Sequence, residues 1–146
     1  MSRRLVREKA LQVLYQCEIN PLGKEASVER TIRSLEKDVQ EESLSFFIRI
    51  TDGVFKERDL IDSKIQQYLK EKWTIARLSY VDRSILRMAV YELLYEKEIP
   101  KGVTLNEAVE LAKTYSAEES ARFINGVLGN IARNLGEVEG NKSPVE

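Results

Sequence analysis

The chain has 146 residues, 42% of them hydrophobic, a formal net charge of −1 and no low-complexity run. That length supports one domain with one core, burying roughly two-thirds of the unfolded surface. Near-neutral charge excludes a globally basic nucleic-acid coat, so any RNA or DNA contact has to be local and helped by a partner.

Arg3, Arg4 and Arg7, joined by Lys9 and opposed only by Glu8, open a segment whose periodicity predicts a helix to about Ile19. Val6, Ala10, Val13, Leu14 and Cys17 form its buried stripe, and the three arginines lie across one edge that Leu11 and Tyr15 continue. Guanidinium groups grip phosphate bidentately and stack on bases, so this edge is a candidate nucleic-acid contact; the plainer alternative is a solvated basic end. Cys17 has no second cysteine to pair with and reads as a structural thiol in a reducing, cytoplasmic setting. Gln12, Gln16 and Glu18 break the apolar run as no signal peptide would allow, and nowhere are 18 consecutive residues apolar, so no membrane association is expected.

Asn20-Pro-Leu-Gly23 ends the first helix, and a short amphipathic segment with Val28, Ile32, Leu35 and Val39 follows Ser27 as its cap. Asp38, Glu41 and Glu42 read as a solvated acidic patch. Leu44, Phe47, Ile48, Thr51, Val54 and Phe55 mark a third helix, and Asp59 caps a fourth that buries Ile61, Ile65, Tyr68 and Leu69. Lys70-Glu-Lys-Trp73 leads into a short turn around Ile75 and Leu78. Capping boxes at Ser79 with Asp82, Thr104 with Glu107, and Ser116 with Glu119 each predict the start of a long helix. The helix after Ser79 is apolar nearly all round and is expected to be the central strut. Ile99-Pro-Lys-Gly102 breaks it, and Leu105, Ala108, Val109, Ala112 and Tyr115 line the next.

In the last helix Ala121, Ile124, Val127, Leu128, Ile131 and Leu135 share one arc, whereas Phe123 falls outside it beside Glu119 and Gly126, with Arg122 near. A flat ring with a cation and bare glycine backbone beside it suits a stacked nucleobase; a core phenylalanine at a helix edge is the alternative. Residues 136–146 are polar with Gly136, Gly140 and Pro144, and are expected to form a disordered tail after a domain spanning 1–135. No strand pattern or internal repeat is present.

Catalysis finds no foothold in these residues. Without histidine there is no Ser-His-Asp arrangement and no histidine metal site; one cysteine makes no zinc site, and glycine-rich phosphate loops are missing. The pairs Glu41-Glu42 and Glu118-Glu119 read as helix-start residues rather than a magnesium site. The reading is therefore a non-enzyme without metal or cofactor.

The stretches from Arg3 to Tyr15, from Leu78 to Leu93, from Asn106 to Lys113 and from Phe123 to Leu128 resemble the bacterial transcription antitermination factor NusB family. The resemblance covers the first helix and essentially all of 73–135; over 20–72 it extends only to spacing and hydrophobic pattern. It implies an all-α fold of about seven helices in two packed helical halves. It also implies binding of single-stranded boxA RNA from ribosomal RNA leaders, jointly with the small-subunit ribosomal protein that acts as NusE, and indirectly a place in the antitermination complex on RNA polymerase. By position, the resemblance assigns Arg3, Arg4, Arg7, Ser120, Arg122, Phe123 and Asn125 to RNA, and Tyr15 and Asp82 to the ribosomal protein. Ser116 and Gly129 depart from the family's frequent glycine and aspartate, and Gly129 costs up to about 1 kcal/mol of helix stability relative to alanine. The runner-up is a helical protein adaptor that never touches nucleic acid. A helical accessory domain of an RNA methyltransferase fits less well, because no catalytic domain accompanies it.

Overall fold

Ser2–Ile19 forms the first helix, α1, which stops where Asn20 hands the chain to a 3-10 turn at Pro21–Gly23. Proline has no amide hydrogen to continue the helical ladder, so the boundary falls there. In this computed structural model the backbone of residues 2–145 and the side chains of residues 3–135 are described. The chain continues through α2 (Lys24–Asp38), α3 (Glu41–Lys56) and α4 (Arg58–Gln67), a 3-10 turn at Ile75–Arg77, then α5 (Tyr80–Tyr95), α6 (Lys101–Tyr115) and α7 (Glu118–Val145). No strand occurs among the described residues. The expectation of a disordered tail at 136–146 falls outside the described side chains.

Two groups of helices meet across α5. On one side α1 packs against α2 and α3; on the other α6 packs against α5 and α7; and α5 touches α1, α3, α4, α6 and α7. The nearly all-round apolar sequence of α5 is thereby accounted for: Ile85, Leu86, Met88, Ala89 and Val90 are all at most 3% exposed. Each of the larger of these side chains contributes about 1.5–3 kcal/mol by leaving water.

The charged residues of α5 serve as ties between helices. Arg87 donates to both carboxylate oxygens of Asp62 on α4 (2.8 and 2.9 Å) and to Glu18 on α1 (3.3 Å). Arg83 pairs with the same Glu18 and donates to the Ile75 carbonyl at 3.1 Å. Burial alone would raise the Glu18 carboxyl, but hydrogen bonding from Arg83 and the positive charge of Arg87 and Arg58 bring it below its usual range. The last turn of α5 ends at Glu96, which accepts from Arg49 of α3 at 2.8 and 3.0 Å and from the Tyr91 hydroxyl at 2.7 Å. Gly53 of α3 is required at this junction, because a Cβ there would lie 2.2 Å from the Tyr91 ring.

Several helix starts differ from the sequence expectations. Ser79 does cap α5, its Oγ accepting from the Asp82 amide at 3.1 Å. Thr104, by contrast, is inside α6 and 2% exposed. Pro100 already has the φ of −58° that starts a helix and its carbonyl accepts from Val103, so the helix begins earlier and Thr104 turns inward. Ser27 likewise lies within α2, where it donates to Gln16 of α1 at 3.0 Å instead of capping. Asp59 sits in the first turn of α4, which Glu57 precedes as cap residue. The Ser116 hydroxyl donates to Ser120 at 3.0 Å, and α7 starts at Glu118.

Candidate nucleic-acid interface

The amino-terminal arginines have three different environments. Arg3 lays its guanidinium 4.2 Å from the centre of the Phe46 ring, a cation–π contact from α1 to α3. Arg4 is the outermost, its side chain 56% exposed, yet it donates to both oxygens of Glu107 on α6 at 3.1 and 2.7 Å. That pairing is the main cause of the Glu107 carboxyl lying below its usual range, against a smaller upward push from burial.

Arg7 is placed differently from the expectation that grouped it with Arg3 and Arg4 on the RNA surface. It is 4% exposed and donates to both oxygens of Glu92 at 2.9 and 2.8 Å, while Glu92, itself 2% exposed, also accepts from the Thr104 hydroxyl at 3.0 Å. The physical reason is the register of α1: Arg7 directly follows the buried Val6 and faces the only charged position in the interior of the last turns of α5. Its guanidinium is committed to the protein interior, where it locks α1 against α5 and α6.

On α7 the predicted arc is the buried one, with Ala121, Ile124, Val127, Leu128 and Ile131 at most 5% exposed. Phe123 is half-buried, with part of its ring packed on the core and part on an open cleft of about 570 Å³. Phe123 is thus at the edge of the core with one side open to the cleft. Gly126 leaves open space beside it, since a Cβ there would meet nothing within 4 Å. Ser120 and Arg122 border the same cleft. Arg122 also borders a groove between α6 and α7 that Asn125, Gly102 and Asn106 line. Val103, next to Gly102, borders the depression that Arg3 lines, and Glu107, next to Asn106, borders the one shared by Arg3 and Arg4. Ser120, Arg122, Phe123 and Asn125 therefore border two clefts that meet at Arg122, while Arg3 and Arg4 border separate depressions against the amino-terminal half of α6.

Of the two residues assigned to a protein partner, Asp82 borders the Phe123 cleft and Tyr15 lies on another side of α5. Tyr15 is 37% exposed and meets Tyr80 edge-on, ring centres 6.4 Å apart, with the Arg83 guanidinium 5.0 Å from the Tyr80 ring. Asp82 turns towards α7, where its Oδ2 accepts from the Ser120 hydroxyl at 2.9 Å. With about 100° per residue in a helix, positions 80 and 82 point in nearly opposite directions, so Tyr15 and Asp82 flank the first turn of α5 on different sides. Sequence reasoning missed Glu92 and Glu107, the carboxylates that hold Arg7 and Arg4. A glutamate in the otherwise apolar second half of α5 was the available signal for the first. It also missed Gly102 and Asn106, which carry no signal by type.

Among the described residues no group of acidic, cysteine or histidine side chains could hold a metal ion, and no helix is long and apolar enough to cross a membrane. The family model described as the NusB family matches residues 4–133. The transcription antitermination protein NusB of Bacillus thuringiensis (strain Al Hakam) is 49% identical over 136 residues, covering 92% of this chain and all of that protein. The solved structure of T. maritima NusB is 39% identical with a TM-score of 0.80, covering 90% of each chain. A crystal structure of the antitermination factors NusB and NusE in complex with dsRNA matches at 27% identity and a TM-score of 0.80, covering 91% of this chain and 97% of that one. With its helical architecture, the match over 4–133 and near-half identity along almost the whole length, the chain belongs to the NusB family.

Proposed function

We propose that this chain is a non-catalytic antitermination factor that binds single-stranded boxA-type RNA of ribosomal RNA leaders together with the ribosomal protein NusE, in the cytoplasm. The observation that supports this reading is the open side of Phe123 in a cleft bordered by Arg122, with Asn125 in the adjoining groove and Arg3 and Arg4 against the amino-terminal half of α6. Cations so placed meet phosphates, and the aromatic stacks on an unpaired base. A-form duplexes keep their base faces hidden, so the half-exposed ring favours a single strand. The relative bound to NusE and dsRNA supports the choice of partner class.

Arg7 enters this reading as a positioning residue. By anchoring α1 through Glu92 it holds Arg3 and Arg4 beside α6. The net charge of −1 leaves little non-specific attraction for RNA, so a basic ribosomal protein completing the surface raises affinity by shared contacts. Tyr15 with Tyr80, and Asp82, are assigned to that protein contact. Fluorescence-anisotropy titration of a labelled boxA oligonucleotide, with and without NusE, tests the whole reading. Tighter binding in the presence of NusE, and weaker binding of a fully paired duplex, are expected. Equal affinity for boxA and for an unrelated duplex refutes it.

A further inference from the structure

Trp73 is the single tryptophan of the chain and is 48% exposed, although a large aromatic gains most when packed. It sits in the loop between α4 and the Ile75–Arg77 turn, and that loop is held firmly. The Gln66 side chain donates to the Trp73 carbonyl at 2.9 Å and accepts from the Ile75 amide at 3.1 Å, and the Trp73 amide donates to the Lys70 carbonyl at 2.8 Å. A fixed backbone presenting an incompletely buried indole is what a preorganised contact requires.

Trp73 borders the same cleft of about 570 Å³ as Phe123, one from the loop and the other from α7. The volume falls in the range of sites that enclose small organic ligands. Lys70, Arg77 and Arg122 outnumber the carboxylates of Asp82 and Glu119 in its lining, and Asp82 is engaged with Ser120. The Lys70 and Arg122 side chains have no ion-pair partner among the described residues. Two aromatic rings with surplus cations fit a nucleobase and its phosphates better than a peptide segment, whose apolar side chains would leave those cations uncompensated.

We propose that this cleft is a nucleobase-binding site in which Trp73 and Phe123 both contact an unpaired base of the bound RNA, with Lys70, Arg77 and Arg122 meeting the adjoining phosphates. The inference rests on the RNA-binding reading and extends its surface from α7 to the loop after α4. It gives residues 70–77 a recognition role, where the sequence showed only a connection.

Because no other tryptophan is present, the emission of the full-length chain reports on this site alone. A single-stranded boxA oligonucleotide is titrated while Trp73 emission and the anisotropy of the labelled RNA are followed in parallel. Quenching that saturates together with anisotropy, and that diminishes in Phe123→Ala, is expected. Trp73→Ala is expected to weaken RNA binding roughly 5- to 150-fold without loss of helicity, and Trp73→Phe to retain most of the affinity. RNA that binds by anisotropy with unchanged emission, and with wild-type affinity for Trp73→Ala, overturns the base site while leaving the RNA-binding reading intact. Failure of any RNA to bind overturns both. A change of Trp73 emission on adding NusE without RNA, with none on adding RNA, makes the cleft a protein-docking surface and overturns the proposal.

Discussion

Replacing Arg7 by alanine separates a structural arginine from its neighbours at the amino terminus. In the folded protein Arg7 and Glu92 are 4% and 2% exposed and share two hydrogen bonds of 2.9 and 2.8 Å. Truncation leaves the Glu92 carboxylate buried, with Thr104 as its remaining close donor at 3.0 Å. Removing one partner of such a buried pair costs about 3–5 kcal/mol, mostly because the other charge is stranded. For a chain of this size, at roughly 2–4 °C per kcal/mol, the melting temperature falls by about 6–20 °C. Thermal unfolding followed by circular dichroism measures this directly. Replacing both partners with apolar residues, Arg7→Met with Glu92→Leu, is expected to recover most of the loss, because nothing charged is then left unpaired. An Arg7→Ala variant that melts like the parent and loses only RNA affinity refutes the interior role and returns Arg7 to the RNA surface.

Other outcomes follow from the same geometry. Phe123→Ala is expected to weaken RNA binding by about 1–3 kcal/mol and, because the ring is only half-buried, to lower stability by a smaller amount, about 1–2 kcal/mol; isothermal calorimetry and urea unfolding read the two separately. Gly53→Ala gains helix propensity but drives a Cβ into the Tyr91 ring, so a net loss of about 1–3 kcal/mol is expected in urea unfolding, and a stabilised variant contradicts the contact. Glu18, Glu96 and Glu107 have carboxyl groups below their usual range. Their stabilisation is therefore complete above the unfolded carboxylate pKa of about 4.3 and disappears as pH falls through the lower folded values. Denaturation midpoints measured from pH 7 downwards are expected to stay level to about pH 5 and then drop, and a midpoint that rises on acidification contradicts the sign.

Much of the fold was legible because helical periodicity is a strong signal. The buried stripe of α1 and the arc of α7 are where the spacing of their residues put them, except that Cys17 and Leu135 at their ends are only partly buried, and α5 is buried nearly all round. Helix starts were less legible. Ser27 and Thr104 are capping residues by type, but their hydroxyls are used across helix interfaces, by Gln16 and Glu92, and tertiary partners of that kind leave no local pattern. The same limit applies at the candidate site. Clustering of Arg3, Arg4 and Arg7 is visible in the sequence, but which of them faces a carboxylate depends on Glu92 and Glu107, 85 and 103 residues away. Phe123 was readable from its departure from the apolar arc, whereas Trp73 shares its cleft only because the loop after α4 folds beside α7.

Arg3, Arg4 and Arg122 are proposed to meet RNA phosphates. The most direct measurement is the salt dependence of affinity for single-stranded boxA RNA, comparing the parent chain with the variant carrying Arg3→Ala, Arg4→Ala and Arg122→Ala. Each phosphate contact to a single strand contributes about 0.7 to the slope of log affinity against log salt, so a slope shallower by roughly 2 is expected, with the fold intact by circular dichroism. An unchanged slope and affinity in the folded variant contradicts these phosphate contacts.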